Sequence, residues 1–365
     1  MKRNALIAVL GLCLSITTAC GSSDATTDGD IAGDLNNGST GTADGATGSD
    51  ATDGTGNGGD TTTAPTVQVA FSCPAGAAAI TEGMNSAWNS RGQSRDFIAN
   101  LPDVDASTPV AVVFAWHGVG DTAQNFHSFA QSIGNRNDAD FPYIMITPQG
   151  LKLQPIGSAI AGMEWDILDG LKGDDNVDAG LFEDILGCLA EDYTIDGSRI
   201  YAMGFSGGAI MSNLLHSRYP EHVGAVFSMS GAWFNNQPTV GGVATGPISV
   251  TIQWDELNPT HEGTVWMTHG GLNDNYGDPM LANFGVPNGQ IISFEDSAQH
   301  ARPWLQEQNR TVIACSHDRG HQNHPALSMS LVGEFFKAHQ AGAPSKWATT
   351  GDLPANAGTV CEVNP

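Results

Sequence analysis

The chain has 365 residues, with 39 acidic side chains against 14 lysines and arginines and a net charge of −25. An acidic excess this large repels nucleic acid and anionic membrane surfaces, leaving neutral or cationic partners. Six cysteines without any Cys-x-x-Cys spacing exclude zinc-ribbon and thioredoxin-type chemistry.

The N-terminus reads MKRNALIAVLGLCLSITTAC. Lys2 and Arg3 precede an apolar run from Ala5 to Ile16, too short to hold a chain across a bilayer. Basic residues, a short apolar run and then small residues follow the order of a secretory signal peptide, expected over residues 1–20. The closing TTAC resembles a bacterial lipobox in which Cys20 is lipidated, with Thr17 standing where that pattern carries leucine. Residues 21–65 are almost entirely Gly, Ser, Thr, Ala, Asp and Asn, with no aromatic side chain. Such a stretch cannot bury enough apolar surface to offset its ordering entropy. It is expected to be a disordered linker that gives a lipid-anchored body its reach. Its Asp-Gly pairs lack the closing glutamate of an EF-hand loop. The linker takes eight aspartates, so the body over residues 66–365 keeps 31 acids against 12 bases. Cys73, Cys188, Cys315 and Cys361 are an even set in an exported body, which predicts two disulfides in any of three pairings.

Within the body, SRDFIANLP alternates and stops at a proline, as an edge strand would. PVAVVFAWHG is a continuous apolar run, expected of a central strand buried on both faces, and PYIMITPQG repeats it more briefly. GLFEDILGCLAEDY sets Leu181, Phe182, Ile185, Leu186 and Leu189 at helical spacing, an amphipathic helix. SRIYAMGF reads as a strand, and GGAIMSNLLHSRYP as a helix with Ile210, Met211, Leu214 and Leu215 on one face. VGAVFSMSG and GTVWMTHG are further buried strands. EDSAQHARPWLQEQ reads as a helix broken near Pro303, RTVIACSH as the last strand and PALSMSLVGEFFKAHQ as the closing helix. Alternating strands and helices predict one α/β domain, a mostly parallel sheet covered by helices on both faces. In such sheets functional residues collect at the carboxyl ends of the strands.

Gly204-Phe205-Ser206-Gly207-Gly208 matches Gly-x-Ser-x-Gly. In a chain with 45 glycines the match alone says little. Its setting between a strand and a helix says more, because a sharp strand-to-helix turn pushes Ser206 Oγ into the open as a nucleophile. A nucleophilic serine needs a base, and the base an orienting acid. After GTVWMTHG the loop offers Asp274 and Asp278, of which Asp274 is nearer the strand end. After RTVIACSH the loop SHDRGHQNHP offers His317, His321 and His324. His321 is preferred because Gly320 lets the loop approach closely. His317 and His321 are four apart, a zinc-binding spacing on a helix, but this span has no helical periodicity and no general-base glutamate, so no metal is expected. The two N–H donors of an oxyanion hole are expected from Gly207 and Val119, with His117 a packed structural side chain.

Several of these stretches together resemble one family. VVFAWHGVGDTAQNF, DDNVDAGLFEDILGCLAEDYTIDGSRIYAMGFSGGAIMSNLL and VWMTHGGLNDN are similar to the exported polyhydroxybutyrate depolymerase-like and feruloyl esterase-like serine esterases of the α/β-hydrolase superfamily. DYTIDGSRIYAMGFSGG is the most specific piece. The resemblance implies an α/β-hydrolase fold, Ser206 as nucleophile, Asp274 as acid, His321 as base, and Val119 and Gly207 as oxyanion donors. It also puts Trp165 in GMEWD on the substrate side, and His324 where the family carries a tryptophan near the substrate. The acid loop is one residue longer than the family's His-Gly-x-x-Asp, which keeps Asp278 in play. The expectation is a monomeric, exported, lipid-tethered ester hydrolase acting on polymeric esters, feruloyl or acetyl polysaccharide or polyhydroxyalkanoate, without a cofactor. The alternatives are a lipase or peptidase of the superfamily, or a surface-binding lipoprotein that kept the fold and lost the chemistry.

Overall fold

The computed structural model of the protein describes residues 68–151, 164–167, 176–235, 254, 256–277, 282–283, 287–350, 353–355, 357–358 and 360–364. The expected signal peptide, Cys20, the linker and Asp278 lie outside these residues. A nine-stranded sheet runs in the order β1-β2-β4-β3-β5-β6-β7-β10-β11. The strands are β1 (Gly83–Ser90), β2 (Gln93–Asn100), β3 (Val110–Trp116), β4 (Tyr143–Pro148), β5 (Ile195–Phe205), β6 (Val223–Met229), β7 (Gly263–His269), β10 (Arg310–Ser316) and β11 (Cys361–Asn364). From β4 to β10 every pairing is parallel, and the two ends of the sheet close with antiparallel pairs. A separate two-stranded sheet joins β8 (Asn275–Gly277) to β9 (Gln290–Ser293).

The strand β3 shows why the central runs are continuously apolar. Every one of its residues is buried, yet they divide between two cores. Val110, Val112, Phe114 and Trp116 pack with the helices α2 (Val177–Asp192), α3 (Gly207–Arg218) and α4 (Phe294–Glu307). Ala111, Val113 and Ala115 pack with α1 (Ala123–Ala130) and α5 (Met329–Ala338). Period-two alternation feeds both faces, so both must be apolar. Burial of this kind contributes roughly 25 cal/mol per Å² of apolar area.

Four expectations change. SRDFIANLP is not the edge strand. It forms β2, and the edge is β1, whose Gly-, Asn- and Ser-rich GMNSAWNS carries a bulge between Asn85 and Trp88. The helix α4 is not broken at Pro303. It runs through the proline because Ala301 and Leu305 on either side are buried in the core, and that packing outweighs a cost of about 3 kcal/mol. The helices α2 and α3 are buried on most of their surface rather than along one stripe, down to Asp178 and Asp184. The buried Arg95 guanidinium pairs with Asp178, and Ser90 Oγ donates to Asp184. Finally, α5 does not close the chain, since α6 (Lys346–Thr350) and β11 follow. Two disulfides are present, Cys73–Cys188 and Cys315–Cys361. The second joins directly opposed residues of β10 and β11 and so pins the terminal strand to the sheet.

Candidate active site

Ser206 lies between the end of β5 and the start of α3 with φ 55° and ψ −120°. A non-glycine residue in this region is strained by about 1–3 kcal/mol. The turn holds because its neighbours leave no alternative. A Cβ at Gly204 would overlap the Gly208 backbone, and a Cβ at Gly208 would overlap the Trp116 carbonyl. The Ser206 N–H donates to Met229 O at 2.9 Å, and Ser206 O accepts from Ile210 N at 3.0 Å.

Asp274 follows β7 at the end of a short 3-10 turn, Gly271–Asn273, and is fully buried. A buried carboxylate needs donors around it, and three reach this one. His321 Nδ1 donates to Oδ1 at 2.6 Å. Ser230 Oγ and Gly270 N donate to Oδ2 at 2.8 and 2.7 Å. The base loop and the acid loop meet through glycines. Gly320 has φ 69°, its N–H donates to Gly270 O at 3.0 Å, and a Cβ at Gly270 would overlap the Gly320 carbonyl. The glycine beside His321 thus serves an approach to the acid loop. The imidazole is flanked by two phenyl rings, Phe205 at 4.7 Å and Phe294 at 4.9 Å, the latter nearly parallel to it. Phe205 directly precedes Ser206, so this contact sets His321 beside the elbow.

The other two histidines of the loop are occupied locally. Arg319 N–H donates to His317 Nδ1, and His317 Nε2 donates to Gln322 O. Ala326 N–H donates to His324 Nδ1, and His324 Nε2 donates to Ser316 O. His324 is buried, and burial lowers its pKa. Both of its ring nitrogens therefore hold the loop together, and it is not among the residues that line the cleft at Ser206.

That cleft is narrow and half open, and it is lined by Val119, Ser206, Gly207, Ile210, Tyr276, Ile292 and Phe294. Val119 follows β3, and a Cβ placed on Gly207 would lie 3.8 Å from Val119 N, so the two expected oxyanion donors adjoin. The loop bearing Val119 is held from beneath. Trp165 Nε1 donates to His117 O at 2.7 Å, and Gly120 N donates to Glu164 Oε2 at 3.1 Å. Trp165 is itself buried and stacked edge-on against Trp116. It props this loop and is not among the residues lining the cleft. His117 accepts from Gly150 N at Nε2 and donates from Nδ1 to Gly118 O, which makes it a brace within the same loop.

Tyr276, Ile292 and Phe294 have no counterpart in the sequence reading. They come from β8, β9 and the first residue of α4. Phe294 N–H also donates to Asp274 O at 3.0 Å, so the segment leaves the acid and returns to it. The only sequence signal was the capping pattern Ser293-Phe294-Glu295-Asp296, where Ser293 Oγ accepts from Asp296 N.

Residues 104–251 match the family model described as Phospholipase/Carboxylesterase. Feruloyl esterase B of Talaromyces funiculosus is 24% identical over 261 residues, covering 68% of this chain and 68% of that protein. Feruloyl esterase B of Thermothelomyces thermophilus is 34% identical over 137 residues, covering 35% of this chain and 42% of that protein. Among solved structures, native pOPH superposes with a TM-score of 0.61 at 19% identity, over 81% of this chain and 97% of that one. Native sOPH does so with a TM-score of 0.60 at 18% identity, over 80% and 97%. The chain has the α/β-hydrolase fold, and residues 104–251 are similar to the phospholipase/carboxylesterase family. The proteins and the family model that it is similar to are feruloyl esterases and phospholipase/carboxylesterases.

Proposed function

We propose that Ser206, His321 and Asp274 act as nucleophile, base and acid in ester hydrolysis. The observation that carries this is the 2.6 Å contact between His321 Nδ1 and the buried Asp274, beside a serine on a left-handed elbow. Asp274 accepts the hydrogen bond from His321 Nδ1–H and so fixes the tautomer, which leaves Nε2 as the nitrogen that exchanges protons with Ser206 Oγ. Ser206 Oγ attacks the ester carbonyl carbon as its proton passes to His321. The carbonyl oxygen becomes an oxyanion facing the N–H groups of Val119 and Gly207, where fixed donors lower the barrier. The tetrahedral intermediate collapses, and His321 returns the proton to the departing alkoxide. Water then repeats the sequence on the acyl-enzyme, releasing the acid and freeing Ser206.

Among the described residues the side chains lining the cleft are apolar apart from Ser206 and Tyr276, which suits an uncharged acyl group. We assign the substrate to polymeric esters, feruloyl or acetyl groups on polysaccharide or a polyhydroxyalkanoate. Support comes from the names of the relatives and from the sequence expected to export and tether the chain through Cys20 and residues 21–65. Two disulfides fit an oxidising compartment. The test is hydrolysis of p-nitrophenyl acetate by the protein and by Ser206→Ala. A fall of about a thousandfold or more in kcat is expected, and equal rates would end the proposal. Release of ferulate, acetate and hydroxybutyrate, measured side by side, then ranks the acyl groups.

A further inference from the structure

Two adjacent strands of the sheet end alike. The strand β5 ends in Phe205-Ser206-Gly207 and β6 in Met229-Ser230-Gly231. Both serines are left-handed, with φ 55° at Ser206 and 51° at Ser230. Ser230 is fully buried, so its strain does not relieve itself at a surface. Glycine would hold the same backbone without penalty. A serine in its place needs a reason, and the hydroxyl supplies one. Ser230 Oγ donates to Asp274 Oδ2 at 2.8 Å, while His321 Nδ1 donates to the other oxygen.

The backbone explains how the hydroxyl is aimed. Beyond the strand ends, a ladder of main-chain bonds continues along the carboxyl edge. Ser206 N donates to Met229 O at 2.9 Å, Ser230 N to Thr268 O at 2.8 Å and His317 N to His269 O at 3.0 Å. The left-handed turn at Ser230 keeps its N–H in this ladder and turns its Oγ to the carboxylate in the loop after β7. Gly231 completes the turn, because a Cβ there would overlap Ser228 Oγ.

We infer that Ser230 is a positioning residue for the reaction, fixing the Asp274 carboxylate so that His321 is held in a productive orientation. The inference rests on the triad proposed above. Ser230 touches no substrate and acts through Asp274 alone. Its removal lowers kcat and leaves KM nearly unchanged, because the cleft does not include it.

The experiment compares Ser230→Gly and Ser230→Ala in the full chain, with p-nitrophenyl acetate as substrate and Ser206→Ala as control. Both variants remove the hydroxyl, and glycine also relaxes the backbone. We expect each to lose about tenfold in kcat with KM within about twofold, the scale of a lost supporting hydrogen bond. The deciding readout is the same pair of changes made in an Asp274→Asn background, where the loss should shrink to less than twofold. A purely structural serine would cost the same factor in both backgrounds, and that result overturns the inference. Wild-type kcat in Ser230→Gly overturns it as well. If Ser206→Ala stays active, the triad itself is wrong. If Ser206→Ala is inactive while Ser230→Gly is normal, only the role of Ser230 fails.

Discussion

At the carboxyl edge of the sheet, Ser206 and Ser230 hold strained backbones, and His321 is bonded to Asp274 through Nδ1, with no hydrogen bond at Nε2 among the described residues. At the amino edge Arg310, His216 and His339 are deeply buried and hydrogen-bonded. Arg310 donates to His216 Nε2 and to the carbonyls of Asn258, His261 and Gln308, and His216 Nδ1 donates to Val223 O. Nearby, Ser345 Oγ donates to His339 Nε2, and His339 Nδ1 donates to Phe335 O. The Ser345–His339 pair thus has the opposite use to that proposed for Ser206 and His321. Ser345 also accepts from Ala348 N and starts α6, so its hydroxyl is consumed by structure. The difference teaches that a histidine beside a serine is not by itself chemistry. What matters is whether both ring nitrogens and the hydroxyl are already spoken for.

The largest effect expected from this contrast is at His321. Replacement by alanine should lower kcat by about a thousandfold or more, because a lone Ser206 then has no base. His324→Ala, three residues on, should stay within about tenfold of the parent kcat, with its main cost in stability, since its two hydrogen bonds are structural. Steady-state kinetics on both variants check the pair. Comparable losses would mean that the loop works as a unit and that the contrast between engaged and available nitrogens does not decide function.

The amino edge should answer in the opposite currency. Arg310→Met strands three carbonyls and an imidazole nitrogen in the interior, at a cost of about 3 kcal/mol or more in unfolding free energy. The folded fraction should hydrolyse ester at the parent rate. Denaturant melts and kcat, measured on one preparation, test this together. A large fall in kcat for the folded protein would show that the two edges are coupled through β7 and β10.

The sequence reading reached the carboxyl edge unevenly, for physical reasons. Ser206 was visible because glycines at 204 and 208 are demanded by a close backbone crossing, and such demands leave a local pattern. Asp274 and His321 could be placed because buried parallel strands announce their ends, and the loops that follow are short. The structure brings these two side chains into contact. Ser230 was hidden, because φ 51° at a serine has no sequence signature. Tyr276, Ile292 and Phe294 were hidden because β8 and β9 have three and four residues and no alternating pattern. The edge strand β1 was missed for a similar reason, its GMNSAWNS having low strand propensity and a bulge. Trp165 was legible as an important aromatic but not as a prop beneath the Val119 loop, since which side of a loop a ring packs against is a tertiary fact. The identity of the neighbours, more than that of the elements, is what sequence left open.

The smallest effect, and the one that separates the two edges most cleanly, is the response to acid. Burial pushes the His339 pKa down to about 4, and burial together with Arg310 pushes His216 down to about 3. Both values lie below the 6.5 of an unfolded histidine. The unfolded chain therefore binds protons that the folded one refuses. Stability is full above about pH 6.5 and is lost as pH falls toward the folded values. By pH 5 each group should have cost about 2 kcal/mol relative to neutral pH. His339→Gln can keep a donor toward Phe335 O and an acceptor for Ser345 Oγ without titrating, so its Tm should start lower or equal at pH 7 and then fall less steeply toward pH 5. A melting curve whose pH slope is unchanged in His339→Gln would remove His339 from the account. The acid sensitivity would then belong to His216 and its arginine, a pair that no neutral substitution of His339 can relieve.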